Sequence, residues 1–406
     1  MWRRHGRRTV ADMPIDVVIA GAGPAALETA LALRHHAPGH VALTLLAPDG
    51  DFVYRPVSVA EPFALGSARR YPLGAIAADL HAAHVPGTLA AIDADAHEVQ
   101  LQDGAPVRYD VLVVAVGARP TPVFPRALTF GGPDDAEAMH GLVQDVEMGY
   151  VRRLAFVVPP GTTWPLPLYE LALMTAQRAY GMYAQPEIHL VTPEAAPLEV
   201  FGARASAAVR SMVDAAHIHL HAQAPATVED GAVVVLPSGE RLAVDRVVSL
   251  PALAGPAIPG LPRDAGGFLP VDRLGAVQGV EDVYAAGDAT DFPVKQGGLA
   301  TQQADAVASA IAARAGAPVT PQPFEPVLRG MLLTEHEPRW LRDDAAAGQE
   351  SAAAGRGLWW PPTKIAGRWL APYLLGRDLA AAASPGAGLP IEVRLDRRAS
   401  AFGARG

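Results

Sequence analysis

Apolar positions along this 406-residue chain fall into two alternating rhythms. Val17-Val18-Ile19-Ala20 has no polar interruption and stops at Gly21, which reads as a strand buried on both faces. Leu27, Ala30, Leu31 and Leu33 then recur at helical spacing. Val41 to Leu46 predicts a second strand, Leu89 to Ile92 with Glu98 to Leu101 a hairpin, and Val111 to Val116 a further buried strand ending at Gly117. The alternation returns in the strand Leu154 to Val158, a helix over Leu171 to Arg178, the strand Ile188 to Thr192, a short strand before Gly287, and a helix introduced by Gly297 and Gly298. Strands alternating with helices predict an α/β chain built on parallel sheets.

The turn after the first strand carries specific chemistry. In Gly21-Ala22-Gly23-Pro24-Ala25-Ala26, Gly21 permits a tight turn, Gly23 lets the backbone approach a pyrophosphate, and small Ala26 lets helix and strand pack closely. The helix N-terminus then aims free amides and a positive dipole at phosphate. A plain packing turn is the alternative, and the strand-turn-helix context favours the dinucleotide. An acid roughly 20 residues further on would accept from the ribose. Ala47-Pro48 occupy that place, so Asp49 is the candidate, against a simple turn aspartate. Arg55, in the following loop, is a candidate for phosphate or ribose, against a solvated arginine. Ala115 and Gly117 close a strand where open sheets bind their ligands. Asp288 follows Gly287 directly after the later short strand, which repeats the logic.

Together the glycine turn, the strand ending at Gly117 and the Gly287-Asp288 corner resemble the flavoproteins with two dinucleotide-binding domains. This is the glutathione-reductase-like, pyridine nucleotide-disulfide oxidoreductase superfamily, and the likeness covers most of residues 14–330. It implies two Rossmann-like (FAD/NAD(P)-binding) domains: a discontinuous FAD domain over 14–122 and 265–330, and an NAD(P)-binding-like domain over 123–264. Residues 1–13 would be a disordered tail and 331–406 a C-terminal cap with a mobile end beyond Ala383. The resemblance further implies non-covalent FAD, contacted by Gly21, Gly23, Pro24, Ala25, Ala26, Asp49, Arg55, Ala115, Gly117, Gly287, Asp288, Gly298, Leu299 and Ala300. The helix after Gly297 would face the pyrimidine side of the isoalloxazine, its dipole favouring the reduced flavin. Lys295 looks like the lysine that the sulfide:quinone oxidoreductase branch carries beside its flavin, a catalytic point charge. Gln302 and Gln303 are second contacts by the same likeness.

The middle unit departs from its relatives. After Leu154 to Val158, where a glycine-rich turn would hold NAD(P)H, the chain reads Pro159-Pro160-Gly161-Thr162-Thr163-Trp164-Pro165-Leu166-Pro167. Prolines remove amide donors where phosphates want them, and Trp164 is large where backbone must come close. NAD(P)H use is therefore left open. The chain contains no cysteine, which excludes thiolate, redox-disulfide and Cys-ligated metal chemistry. A disulfide reductase or a standard sulfide oxidiser is excluded with it. The expected function is an FAD-dependent oxidoreductase passing electrons between a small-molecule donor and a quinone or other acceptor. Two alternatives stand: a type II-like NAD(P)H dehydrogenase using Gly161, Glu170 and Glu194, and a flavin-binding scaffold or redox sensor without turnover.

Composition narrows the partners. A net charge of −9 and a pI near 5.8 disfavour nucleic acid, and no apolar run is long enough to span a membrane. Lysine occurs only at Lys295 and Lys364, a bias that reads as codon usage. The arginine-paired N-terminus lacks a cleavable apolar region, so it reads as a tail or a misassigned start with Met13 the true beginning, and the protein as cytoplasmic. His217, His219 and His221 alternate on one strand face, read as a polar face with no metal assigned. Glu335-His336-Glu337 reads as an exposed loop and Asp343 to Gly357 as a linker. Leu358 to Leu375 interleaves aromatics with Lys364 and Arg368, which fits a flavin lid, a homodimer contact or a peripheral membrane anchor.

Overall fold

The computed structural model describes residues 13–230, 232–334, 363–377 and 388–394. The expectations for 1–12, for Glu335-His336-Glu337, for 343–357, for 358–362 and for 384–387 and 395–406 lie outside these residues. In chain order the elements used below are β1 (Ile15–Ala20), α1 (Pro24–His36), β2 (Val41–Ala47), β3 (Ala83–Pro86) and β4 (Val111–Val114). Next come β5 (Leu128–Thr129), α2 (Ala136–Glu147), β6 (Arg153–Val157), α3 (Leu166–Gly181), β7 (Glu187–Val191), α4 (Ala203–Ala215), β8 (His219–His221) and β9 (Arg246–Ser249). The chain then returns through β10 (Val283–Ala285) and α5 (Gly297–Arg314) to β11 (Val327–Leu333), α6 (Leu370–Gly376) and β12 (Gly388–Arg394).

Two parallel sheets result. The first has the order β10-β4-β1-β2-β3 and the second β5-β9-β6-β7-β8. The chain leaves the first sheet through Arg119–Thr121 and comes back through Ala252–Ala254, and these two passages pair antiparallel. The first sheet is therefore assembled from both ends of the sequence around an inserted second unit. Val17 to Ala20 of β1 are at most 2% exposed, because helices cover one face and the Leu89–Asp93 hairpin region the other. That is why this strand reads as an unbroken apolar run.

Gly21 fixes how β1 turns into α1. Its φ is +126°, and a Cβ there would lie 2.2 Å from the Ala115 carbonyl oxygen. Gly23 is different: its φ is −81° and an added Cβ meets nothing within 4 Å. Only the first glycine is demanded by packing.

The C-terminal end departs from the expected mobile tail. Gly388–Arg394 forms β12 and pairs antiparallel along the whole of β11. The alternation Leu389, Ile391, Val393 with Pro390, Glu392, Arg394 is a period-two strand signal, masked by the Ala/Gly/Pro-rich stretch before it. β11 itself runs across residue 330. Among the described residues no helix is long and apolar enough to cross a membrane.

Gly21→Ala is expected to cost about 3 kcal/mol or more, from strained backbone and overlap with strand β4. Gly23→Ala should stay within about 1 kcal/mol. Urea unfolding of the ligand-free chain measures both, and equal midpoints would contradict the distinction.

Candidate functional site

Three sequence-distant turns meet at the carboxyl end of the first sheet. β4 ends under Gly21 through the Ala115 carbonyl, and Gly117 follows with φ +76°. Gly287 has φ +78°, and a Cβ on it would lie 3.1 Å from the Ala25 Cβ and 3.3 Å from the Ala300 Cβ. The N-termini of α1 and α5 and the Gly287-Asp288 corner thus converge. At α1 no side chain caps the helix, Pro24 has no amide, and among the described residues the Ala25 and Ala26 amides have no hydrogen-bond partner. Unsatisfied amides beside an open Gly23 make a site for an anion. At α5 the Gln296 side chain accepts from the Leu299 amide at 2.8 Å, with Gly298 in the same first turn. Asp49 is exposed on the loop after β2, and Arg55 is an exposed residue that lines the cleft described next.

From this corner a cleft of about 720 Å³ opens between the two sheets. Asp288 and Lys295 line it with Gly297, and so do Glu170, Lys364 and Trp164. Burial raises the Asp288 carboxyl above its ordinary range, and Lys295 opposes that rise. Lys295 is 9% exposed, donates to the Thr290 carbonyl and sits 3.8 Å from the Phe268 ring centroid. Burial pushes its pKa down to about 8, against the pull of Asp288, Asp291 and Asp264.

The second lysine is equally buried. Lys364 donates to Glu170 at 2.7 Å and to the Pro56 carbonyl at 3.0 Å. Glu170 is fully buried and also accepts the Leu333 amide at 2.6 Å. Burial lifts the Glu170 carboxyl, while Lys364 and the amide hold it down. Two expectations are corrected here. α3 starts at Leu166, so Glu170 lies in its second turn and its carboxylate is committed to Lys364, not free for a nicotinamide cofactor. Lys364, conversely, is buried in the protein and is no membrane-facing cation. Sequence reading missed this pair, although two lysines in the whole chain were a usable signal.

The second sheet's turn carries Pro159, Pro160, Pro165 and Pro167, which have no amide to offer. Gly161 has φ +80°, Pro165 caps α3 and Pro167 sits in its first turn, and the Leu168 amide is taken by the Pro165 carbonyl. Glu194 accepts from the Tyr169 hydroxyl at 2.7 Å and from Thr192 at 2.8 Å, and burial lifts its pKa to about 7.

Other expected contacts are engaged elsewhere. Gln302 holds both backbone groups of Val327, and Gln303 accepts the Gly287 amide at 2.7 Å and donates to Thr290. These glutamines brace the corner and β11. Of the three histidines, His217 sits in a left-handed turn (φ +54°) before the strand. The third imidazole beside His219 and His221 is His189 of β7, 3.1 Å from His221. Among the described residues no cluster of three or more ligand side chains could hold a metal. The described part of the aromatic segment packs on α1. Glu28 accepts the Trp369 and Leu370 amides at 2.8 and 2.7 Å, and the Trp369 ring lies 4.1 Å from that of His35.

Known proteins share this architecture. Residues 15–151 match the family model described as pyridine nucleotide-disulphide oxidoreductase. NADH dehydrogenase-like proteins of two Mycobacterium tuberculosis strains are each 31% identical over 240 residues, 55% of this chain and 58% of theirs. The chain therefore matches under two thirds of the length of these curated relatives. The sulfide:quinone oxidoreductase of the hyperthermophilic bacterium Aquifex aeolicus aligns with a TM-score of 0.67 at 20% identity, over 73% of this chain and 76% of that one. A ferredoxin reductase from Rhodopseudomonas palustris aligns at 0.61 and 21% identity, over 79% and 82%. NDH2 from Plasmodium falciparum in complex with NADH aligns at 0.57 and 14% identity, over 68% and 64%. The chain has the fold of these solved structures, with two Rossmann-like units, and its residues 15–151 carry the family match.

Breaking the buried pair on one side should be costly. Lys364→Met is expected to destabilise the protein by about 3–5 kcal/mol by leaving Glu170 unpaired, and Lys364→Met with Glu170→Leu should recover most of the loss. Urea unfolding at neutral pH checks both.

Proposed function

We propose that this chain is an FAD-dependent oxidoreductase that holds its flavin non-covalently at the glycine corner and passes electrons between a small-molecule donor and a quinone-type acceptor. The observation carrying the reading is the meeting of the α1 N-terminus, Gly287-Asp288 and the α5 N-terminus, of which Asp288 and Gly297 also line the cleft. Bound FAD supplies the two-electron chemistry that these side chains lack. The Ala25 and Ala26 amides would bind its pyrophosphate, with Gly23 keeping the approach clear. Asp288 would accept from the cofactor's hydroxyls. Gly298, Leu299 and Ala300, in the first turn of α5, would bring the positive end of that helix to the cofactor.

Lys295 places an ammonium in the cleft. With a pKa of about 8 it carries its proton at neutral pH and can release it there, which suits an acceptor that takes up protons with electrons. The Glu170–Lys364 pair holds a second proton-bearing couple on the same wall. Without cysteine, no dithiol relays electrons.

A second reading, a type II-like NAD(P)H dehydrogenase, is favoured by the likeness to the NADH dehydrogenase-like relatives. Against it stand the proline-bounded turn and the commitment of Glu170 to Lys364. Anaerobic mixing with NADH and then NADPH separates the two. No rapid bleaching of the flavin supports the first reading, and bleaching within the mixing time by either nucleotide establishes the second.

Gly23→Val and Asp288→Ala should each yield colourless protein, and full FAD occupancy in Gly23→Val would overturn the pyrophosphate assignment. Lys295→Ala should stay yellow with a lowered flavin midpoint potential at pH 7, because a cation that favours the reduced state is gone. The Lys295 pKa is depressed, so its charge is present below about pH 8 and lost above it. The difference between variant and wild type should therefore shrink as pH rises through 8, as spectroelectrochemical titration would read.

A further inference from the structure

The turn that displaces the nucleotide cradle is itself a built surface. Trp164 is half-buried and lines the cleft, and its ring meets Phe201 edge-on at 5.6 Å and 65°. Phe201 is 1% exposed and clamped beneath β11, where a Cβ on Gly330 would come within 2.4 Å of its ring. Pro159 and Pro160 precede the tryptophan and Pro165 and Pro167 follow it, while the Thr162 amide closes the turn onto the Pro159 carbonyl. The prolines that remove amide donors also stiffen the segment, so little conformational freedom is left to lose when the ring is used.

Formal charges in the cleft nearly balance. Its lining carries the carboxylates Glu170, Asp264, Asp288 and Asp291 against the cations Arg55, Lys295 and Lys364. On the second-sheet side Pro165 and Pro167 take two amides out of the start of α3, and the lining offers a pyrophosphate no surplus positive charge. Phe130, Pro160, Pro251, Leu253 and Met331 supply apolar wall instead, the lining expected of a pocket for an uncharged ring.

We infer that Trp164 is the stacking platform for a planar, uncharged, conjugated substrate, a quinone ring, so that the turn which would hold nucleotide phosphates in a dinucleotide-binding unit here holds that ring. This rests on the flavoenzyme reading above and names its substrate class and the side chain that receives it. Trp164 acts on binding and not on the cofactor.

The test is equilibrium dialysis of menadione against the FAD-loaded, oxidised full chain, with FAD per chain measured separately by absorbance. Trp164→Phe should keep the affinity within about three-fold, and Trp164→Ala should weaken it by about ten-fold or more, as loss of a stacking partner does. Trp164→Leu keeps the bulk without the ring and should weaken it to a similar degree. FAD content and the rate of reduction by dithionite should be unchanged in all three. Equal affinity in the Leu and Phe variants would overturn the stacking role, and so would displacement of menadione by equimolar NADH. A wild-type chain that takes up no FAD would instead defeat the flavoenzyme reading, which the absorbance measurement reports independently.

Discussion

A single buried ion pair ties the molecule together. The Lys364 ammonium reaches Glu170 of α3 and the Pro56 carbonyl of the first unit, while the Glu170 carboxylate takes the Leu333 amide at the end of β11. Four segments, from the first unit, α3, β11 and the C-terminal region, therefore end on one pair of charges. Charges removed from water are tolerated only when every partner is in place, so this pair specifies the relative placement of the segments more than it adds to stability. Its position on the cleft wall makes the same residues part of the site.

The other end of the cleft is governed by close backbone approach. Gly21 exists because the Ala115 carbonyl leaves no room for a Cβ, and Gly287 because Ala25 and Ala300 close in on it. The glycines bring two helix N-termini to one point, which concentrates positive potential where an anionic cofactor would lie. Lys295 extends that potential into the cleft. Both lysines of a 406-residue chain thus line one cavity, while arginine supplies the remaining fixed positive charge. A compositional bias against lysine does not account for where the two sit. An ammonium with a pKa that burial can move is chemically distinct from a guanidinium that stays charged.

Short-range rules made much of this legible in the sequence. The β1 turn, the strand ending at Gly117 and the Gly287-Asp288 corner each depend on neighbours within a few residues, so period and glycine placement were enough. The second unit's proline-bounded turn was legible for the same reason, from Pro159 to Pro167. The Glu170–Lys364 pair was not, because its members lie 194 residues apart and nothing local marks either. That Gln302 and Gln303 brace Val327 and Gly287 was not legible either, because it depends on side-chain direction. Likewise His189 joins His219 and His221 through strand register, not sequence spacing, and the pairing of β12 with β11 spans the chain's end.

The central claim is a flavin held at the glycine corner that delivers electrons to a quinone in the cleft. It is tested most directly by reducing the purified, FAD-loaded protein anaerobically with dithionite and mixing it with one equivalent of menadione while the visible flavin band is followed. The account predicts one flavin per chain whose oxidised band returns within seconds. A reduced flavin that the quinone leaves unchanged, or a chain that binds no FAD, would contradict it.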